Sequence, residues 1–203
     1  MSEIRTVAVL GAGTMGHGIA QVCAVAGMDV VMRDVDDAAL ARGRRGIEAS
    51  LGKLAEKGKL DAAARDAALA RIRVTTDLAE AARGADLVVE AIPEIMALKV
   101  ETFRALAAHA PANALLASNT SSLSVTEIGA ASGAPERVVG LHFFNPVPLM
   151  TLLEIVRGLA TSDASVERAR AFAARIEKEP IVVKDFPGFA TSRLGVILGC
   201  EAI

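Results

Sequence analysis

The chain has no tyrosine and no tryptophan, and only two cysteines and three histidines among its 203 residues. Without tyrosine, the Tyr-x-x-x-Lys proton-transfer pair of short-chain dehydrogenases cannot exist. His17, His109 and His142 are scattered, and no H-x-x-x-H or C-x-x-C spacing occurs. A zinc-dependent alcohol dehydrogenase is therefore not expected, and no metal is assigned. Cys23 and Cys200 lack metal or redox spacing and read as cytosolic thiols. No apolar run reaches membrane-spanning length, and the first five residues carry no signal-peptide core. Net charge is −2 with both signs interspersed, which leaves no basic footprint for nucleic acid. The composition, 52% hydrophobic and 23% charged, belongs to a globular chain long enough for one full domain and a small appendage. The expectation is a soluble cytoplasmic protein that binds neither nucleic acid nor membrane.

The chain is organised around its first strand and turn. Val7-Ala8-Val9-Leu10 reads as a buried parallel strand, broken at Gly11. Gly11, Gly13 and Gly16 then stand at G-x-G-x-x-G spacing, with Ala12, Thr14 and Met15 between them, and a helix from Thr14 to Ala26 follows. The first glycine permits the tight turn, the second lets backbone approach a pyrophosphate, and the third lets helix and strand pack closely. Free amides and the positive end of the helix dipole would face the phosphates. A second strand, Asp29 to Arg33, ends at Asp34, 18 residues beyond Gly16, close to the ~20 expected for a carboxylate on the ribose hydroxyls. Strand, turn, helix, strand and acid in this order point to a dinucleotide site; the plainer reading is a glycine-rich strand–helix turn that binds nothing. Asp34 favours NAD, because it would repel a 2′-phosphate; Arg33 is the opposing feature.

The remaining pattern is a doubly wound α/β fold. Asp36 and Asp61 can N-cap helices over 37–57 and 62–71, a hairpin whose rim carries Ser50, Lys53, Lys57 and Lys59. That rim is either a solvated charged face or a landing site for a phosphorylated substrate. Strands are expected over 72–75, 87–92, 114–117, 138–141, 151–157 and 181–183, with helices over 94–109, 125–131 and from an Asp163 cap to Lys178. A short Pro-containing loop makes 151–157 antiparallel to the strand before it. The polar loop Ser118–Ser122 sits at a strand's carboxyl end. It is either a ligand loop or a Ser/Thr turn that caps the next helix. The final helix, opened by Asp185–Phe189, is apolar nearly all round at Leu194, Val196, Ile197, Leu198, Ala202 and Ile203. Such a helix expects cover, from a second copy or from more chain.

A hydride leaves a carbinol carbon only as the hydroxyl proton is removed, so a nicotinamide enzyme lacking zinc and tyrosine needs another base. Histidine suits that task near neutrality. His142 stands at a strand end beside a Pro-rich loop, and Glu154 on the adjoining antiparallel strand could hold its other ring nitrogen. Ser121 could hydrogen-bond the substrate oxygen. The plainer reading is a core histidine bonded to backbone.

Five stretches resemble the L-3-hydroxyacyl-CoA dehydrogenases, in particular the bacterial 3-hydroxybutyryl-CoA type. They are Gly11–Gly16, Asp86–Ala91, Ser118–Leu123, His142–Pro148 and Asp185–Phe189. The resemblance implies NAD-dependent oxidation of an (S)-3-hydroxyacyl-CoA to the 3-ketoacyl-CoA, a step of β-oxidation in fatty acid metabolism. It implies His142 as general base, Glu154 as its buried partner, and Ser121 on substrate oxygen and nicotinamide ribose. Asp34, Glu94, Lys99 and Asn145 match cofactor-binding positions, and Ser50 and Lys57 match positions that hold the CoA moiety. Where many members have Asn as a fourth active-site residue, this chain has Ser192. The expected organisation is an NAD-binding Rossmann domain over 1–185, its mostly parallel sheet carrying an antiparallel extension. Residues 186–203 would be the first helix of a helical dimerisation domain, and a homodimer through it is possible. The competing readings are a dinucleotide-binding module without turnover, and a lysine-based 3-hydroxyacid dehydrogenase, which leaves His142 and Glu154 unexplained.

Overall fold

Short Val-, Leu- and Ile-rich runs make eight strands, and longer segments with polar caps make the helices between them. A computed structural model describes residues 3–201; Ala202 and Ile203 of the expected last helix lie outside the described residues. The strands are β1 (Thr6–Leu10), β2 (Asp29–Arg33), β3 (Ile72–Thr75), β4 (Leu87–Glu90), β5 (Leu115–Ser118), β6 (Val138–Phe143), β7 (Leu152–Arg157) and β8 (Glu179–Lys184). The helices are α1 (Thr14–Val25), α2 (Asp37–Glu56), α3 (Ala62–Ala70), α4 (Leu78–Ala82), α5 (Met96–His109), α6 (Val125–Ser132), α7 (Asp163–Arg175) and α8 (Thr191–Glu201). One sheet runs β3-β2-β1-β4-β5-β6-β7-β8. Its first six strands are parallel, β6 pairs antiparallel with β7, and β8 runs parallel to β7. The order 3-2-1-4-5-6 is the doubly wound Rossmann arrangement, whose switch point lies between β1 and β4.

Alternation along β1 explains its unbroken apolar run. Val7 and Val9 face a layer built with Ile19, Leu40, Ile47 and Phe172, from α1, α2 and α7. Ala8 and Leu10 face the opposite layer, with Phe103, Leu106 and Ile128 from α5 and α6. A sheet covered on both faces has no polar side to alternate with.

Several boundaries differ from the sequence pattern, each for a local reason. β4 stops at Glu90 instead of residue 92, because the Ile92 amide turns to the Glu90 side chain at 2.8 Å. α5 starts at Met96 instead of Glu94, whose carboxylate is engaged with the loop at 120–122. Ser162, not Asp163, caps α7, its hydroxyl accepting from the Ser165 amide. The helix ends at Arg175; Glu177 then takes a left-handed φ of 56°, and the Lys178 ammonium is spent on the Val147 and Met150 carbonyls. β8 is longer than expected, because its register against β7 continues from Glu179 to Lys184. A 3₁₀ turn at Pro135–Arg137, which the pattern did not suggest, leads into β6.

Candidate active site

The glycine turn fits the geometry its spacing demands. Gly11 has φ +101°, and a Cβ there would fall 2.5 Å from the Ala91 carbonyl oxygen. A Cβ on Gly16 would fall 1.7 Å from the Gly11 carbonyl oxygen, so α1 can approach β1 only with glycine there. At Gly13 a Cβ would meet nothing within 4 Å, which leaves bare backbone facing outward. Gly13 caps α1 without a side-chain hydrogen bond, so the first-turn amides stay available to an anion.

This turn lines a cleft of about 990 Å³ at the carboxyl ends of β1 and β2. Leu78, Ile92, Leu98 and Ala105 give it apolar walls, and Arg33, Asp34, Arg42 and Glu101 give it charge. Asp34 is pinned by backbone: Oδ2 accepts from the Ala12 amide at 2.6 Å and Oδ1 from the Val35 amide at 2.7 Å. Each oxygen keeps a lone pair for a ribose hydroxyl. Volume, open amides and a fixed carboxylate together fit a dinucleotide.

A second constellation stands on β6 and β7. His142 and Glu154 are direct partners across this antiparallel pair, and His142 Nδ1 lies 2.6 Å from Glu154 Oε2. Glu154 is fully buried and His142 nearly so. The ring lies against Phe144 and Phe189, with centroids 4.5 and 5.8 Å away. Nε2 makes no hydrogen bond among the described residues and is not sealed from solvent. An Nδ1–H donated to the carboxylate leaves Nε2 as the basic nitrogen.

Glu154 has three further donors. The Ala190 and Thr191 amides reach Oε1 at 3.1 and 3.0 Å, and the Thr191 hydroxyl reaches Oε2 at 2.9 Å. Burial works against the charge, but the hydrogen bonds from His142 and from Thr191 outweigh it and hold the carboxyl below its ordinary 4.5. Nothing in the sequence pattern marked Thr191. Ser192, the expected fourth residue, is half-buried at the start of α8 and makes no side-chain hydrogen bond among the described residues.

The serine loop is held by a relay that runs from buried Glu90 and Lys99 to exposed Glu94. Glu90 is fully buried, accepting from Lys99 Nζ at 2.6 Å, the Ser118 hydroxyl at 2.7 Å and the Ile92 amide. Lys99 Nζ also lies 3.3 Å from Glu94 Oε2, while Glu94 Oε1 accepts from the Thr120 hydroxyl and from the Ser121 and Ser122 amides. Burial again opposes the Glu94 charge, and Thr120, Ser121 and Lys99 overcome it, keeping the carboxyl below its usual range. Asn119 Oδ1 accepts from the Phe143 amide at 2.9 Å, which fastens this loop beside His142.

Other expected residues fall as follows. Lys99 is almost wholly buried between two carboxylates, so its ammonium stands behind Glu94 instead of facing the cleft. Ser121 is exposed at the end of β5, and Asn145 is exposed past β6, joined to Pro146 by a cis peptide. Glu94, Ser121 and Asn145 lie outside the cleft lining. Ser50 lies on α2 and Lys57 at its C-cap, about two turns further on, and the His17 ring rests against Gly46 of the same helix. Cys23 is buried and its thiol is pushed up to about 12 by that burial, so it is inert. Among the described residues, no cluster of metal ligands and no helix long and apolar enough to cross a membrane occurs.

Comparison with known proteins agrees with this geometry. Residues 6–186 match the family described as 3-hydroxyacyl-CoA dehydrogenase, NAD binding domain. A probable 3-hydroxybutyryl-CoA dehydrogenase of Bacillus subtilis is 45% identical over 201 residues, 99% of this chain and 70% of that protein. A relative of the same description from Deinococcus radiodurans is 47% identical, covering 96% of this chain and 69% of its own. The crystal structure of (S)-3-hydroxybutyryl-CoA dehydrogenase from Ralstonia eutropha superposes with a TM-score of 0.93 at 42% identity, covering 99% of this chain and 74% of that one. The chain belongs to the 3-hydroxyacyl-CoA dehydrogenase family, and its sheet and glycine turn form that family's NAD-binding domain.

Proposed function

We propose that this chain oxidises an (S)-3-hydroxyacyl-CoA, with 3-hydroxybutyryl-CoA as substrate, using His142 as general base. The observation that carries the reading is the buried 2.6 Å contact of His142 Nδ1 with Glu154 Oε2, which leaves Nε2 open. The hydride leaving the carbinol carbon would be taken up by NAD, the chemistry that the cofactor would supply when bound. His142 Nε2 takes the hydroxyl proton, leaving the ketone and an imidazolium. Glu154 holds the tautomer and stabilises that imidazolium, and its four donors keep it from taking the proton itself. Ser121 steers the substrate oxygen, and Ser192, next to Thr191 at the start of α8, supplies a second hydroxyl. Asp34 and the turn residues 11–16 hold the adenosine and pyrophosphate, and Glu94 and Asn145 bound the nicotinamide end, with Lys99 supporting Glu94. Ser50 on α2 and Lys57 at its C-cap hold the CoA moiety.

The two free cysteines suit a reducing compartment such as the cytoplasm. Leu194, Val196, Ile197 and Leu198 are exposed on α8, and a homodimer would cover them; light scattering that returns a monomer removes the dimer.

The test is NADH formation from (S)-3-hydroxybutyryl-CoA, run beside the R enantiomer. Turnover of the S form alone supports the reading. Cofactor binding without turnover of either form favours a dinucleotide module that does no chemistry.

A further inference from the structure

Glu154 is acceptor-only while ionised and offers about four lone-pair positions. Here each is taken: two by the Ala190 and Thr191 amides, one by His142, and one by the Thr191 hydroxyl. Three of these donors are fixed by the backbone or by the base itself. The Thr191 hydroxyl is the one donor that a side-chain change can remove without touching the base, and it shares Oε2 with His142 Nδ1. A donor on that oxygen draws negative charge away from the imidazole, because hydrogen bonds compete for one acceptor's charge. We infer that Thr191 is a positioning residue, whose hydroxyl weakens the hold of Glu154 on His142 and so sets where the acid limb of the oxidation rate falls. This rests on His142 being the base.

The surroundings leave few other groups to set that limb. On β6 the flanking residues are Leu141 and Phe143, on β8 Ile181 lies opposite Glu154, and Phe144 and Phe189 flank the ring. The charged residues on neighbouring segments are engaged elsewhere or exposed. Asp185 accepts from Ser124, Val125 and Thr126, and Lys184 and Arg193 are exposed. Glu154 is the one charged side chain bonded to His142 among the described residues.

Thr191→Val is nearly isosteric and removes the donor; Thr191→Ser keeps it. The three histidines make the His142 ring resonance assignable by NMR in the whole chain, with no need for turnover. Without the hydroxyl, Glu154 binds the imidazolium more strongly. The titration midpoint of His142, and the acid limb of the oxidation rate with it, should then rise by roughly 0.5–1 pH unit, as one hydrogen bond to a charged group allows. Thr191→Ser should leave both in place. An unmoved midpoint in Thr191→Val overturns the inference, and if that variant does not fold, Thr191→Ala is read the same way. His142→Ala separates the two readings: a limb that disappears there but does not move in Thr191→Val sinks only the role of Thr191. A limb that survives in His142→Ala sinks the base assignment and this inference with it.

Discussion

His142 and Glu154 face each other across an antiparallel strand pair, so backbone register alone brings imidazole and carboxylate together. The carboxylate lies inside a sheet and cannot swing away. Glu154→Gln keeps the shape, loses the charge and presents an amide whose orientation must compete with the Ala190 and Thr191 donors. Oxidation of the hydroxyacyl-CoA should fall on the order of 10²–10⁴-fold, while fluorescence titration with NADH should return an almost unchanged Kd.

Glu90 and Lys99 form an ion pair with almost no solvent contact. Removing one partner of such a pair leaves an uncompensated charge, at a cost of about 3–5 kcal/mol. Lys99→Met should therefore lower the urea midpoint strongly. Glu90→Gln combined with Lys99→Met should recover much of that loss. A single variant as stable as the parent would show that this pair does not hold the strand-to-loop junction.

Acid stability follows from the two depressed carboxyls. Glu94 and Glu154 both lie below 4.5 in the folded chain. The unfolded state therefore binds protons first, and the stability these groups contribute is fully present above about pH 4.5 and is lost as pH falls through their folded values. Urea midpoints should be level in this respect from pH 7 to near 5.5 and drop below 4.5. Glu154→Gln should be less stable at pH 7 and show a shallower decline below 4.5.

Lys57 caps the end of α2 and is exposed. If it holds a CoA phosphate, Lys57→Ala should raise KM for the acyl-CoA roughly two- to fivefold, the yield of an exposed charge contact. The Kd for NADH should not change. An unchanged KM would return the α2 rim to a merely solvated face.

Much of this architecture was legible in the sequence because local and global signals coincide. The tight turn at Gly11, the close helix approach at Gly16 and the caps at Asp36 and Asp61 each follow a local mechanism that the fold uses, and Asp34 stands just past the end of β2. Glu154 interrupts the apolar run of β7, where a carboxylate either faces solvent or is buried and paired. The antiparallel pairing decides for burial, because it sets His142 opposite. What escaped depends on contacts distant in sequence. Glu90 sits in a run whose pattern reads as buried, and its cation arrives nine residues later. Glu94 read as the start of a helix, but it turns toward Thr120 and Ser121 across the strand ends. Thr191 looks like any residue opening a helix, and only the folded chain brings its hydroxyl to Glu154, 37 positions earlier. Ser162 and Asp163 are both good caps, and spacing alone could not choose between them.

If His142 moves the substrate proton, reduction of the ketone must depend on it. The first measurement is kcat/KM for acetoacetyl-CoA reduction by NADH, taken with His142→Ala beside the parent and with NADH affinity measured on both. A loss on the order of 10²–10⁴-fold, at nearly constant Kd for NADH, is the predicted result. Equal turnover in the variant would take His142 out of the mechanism.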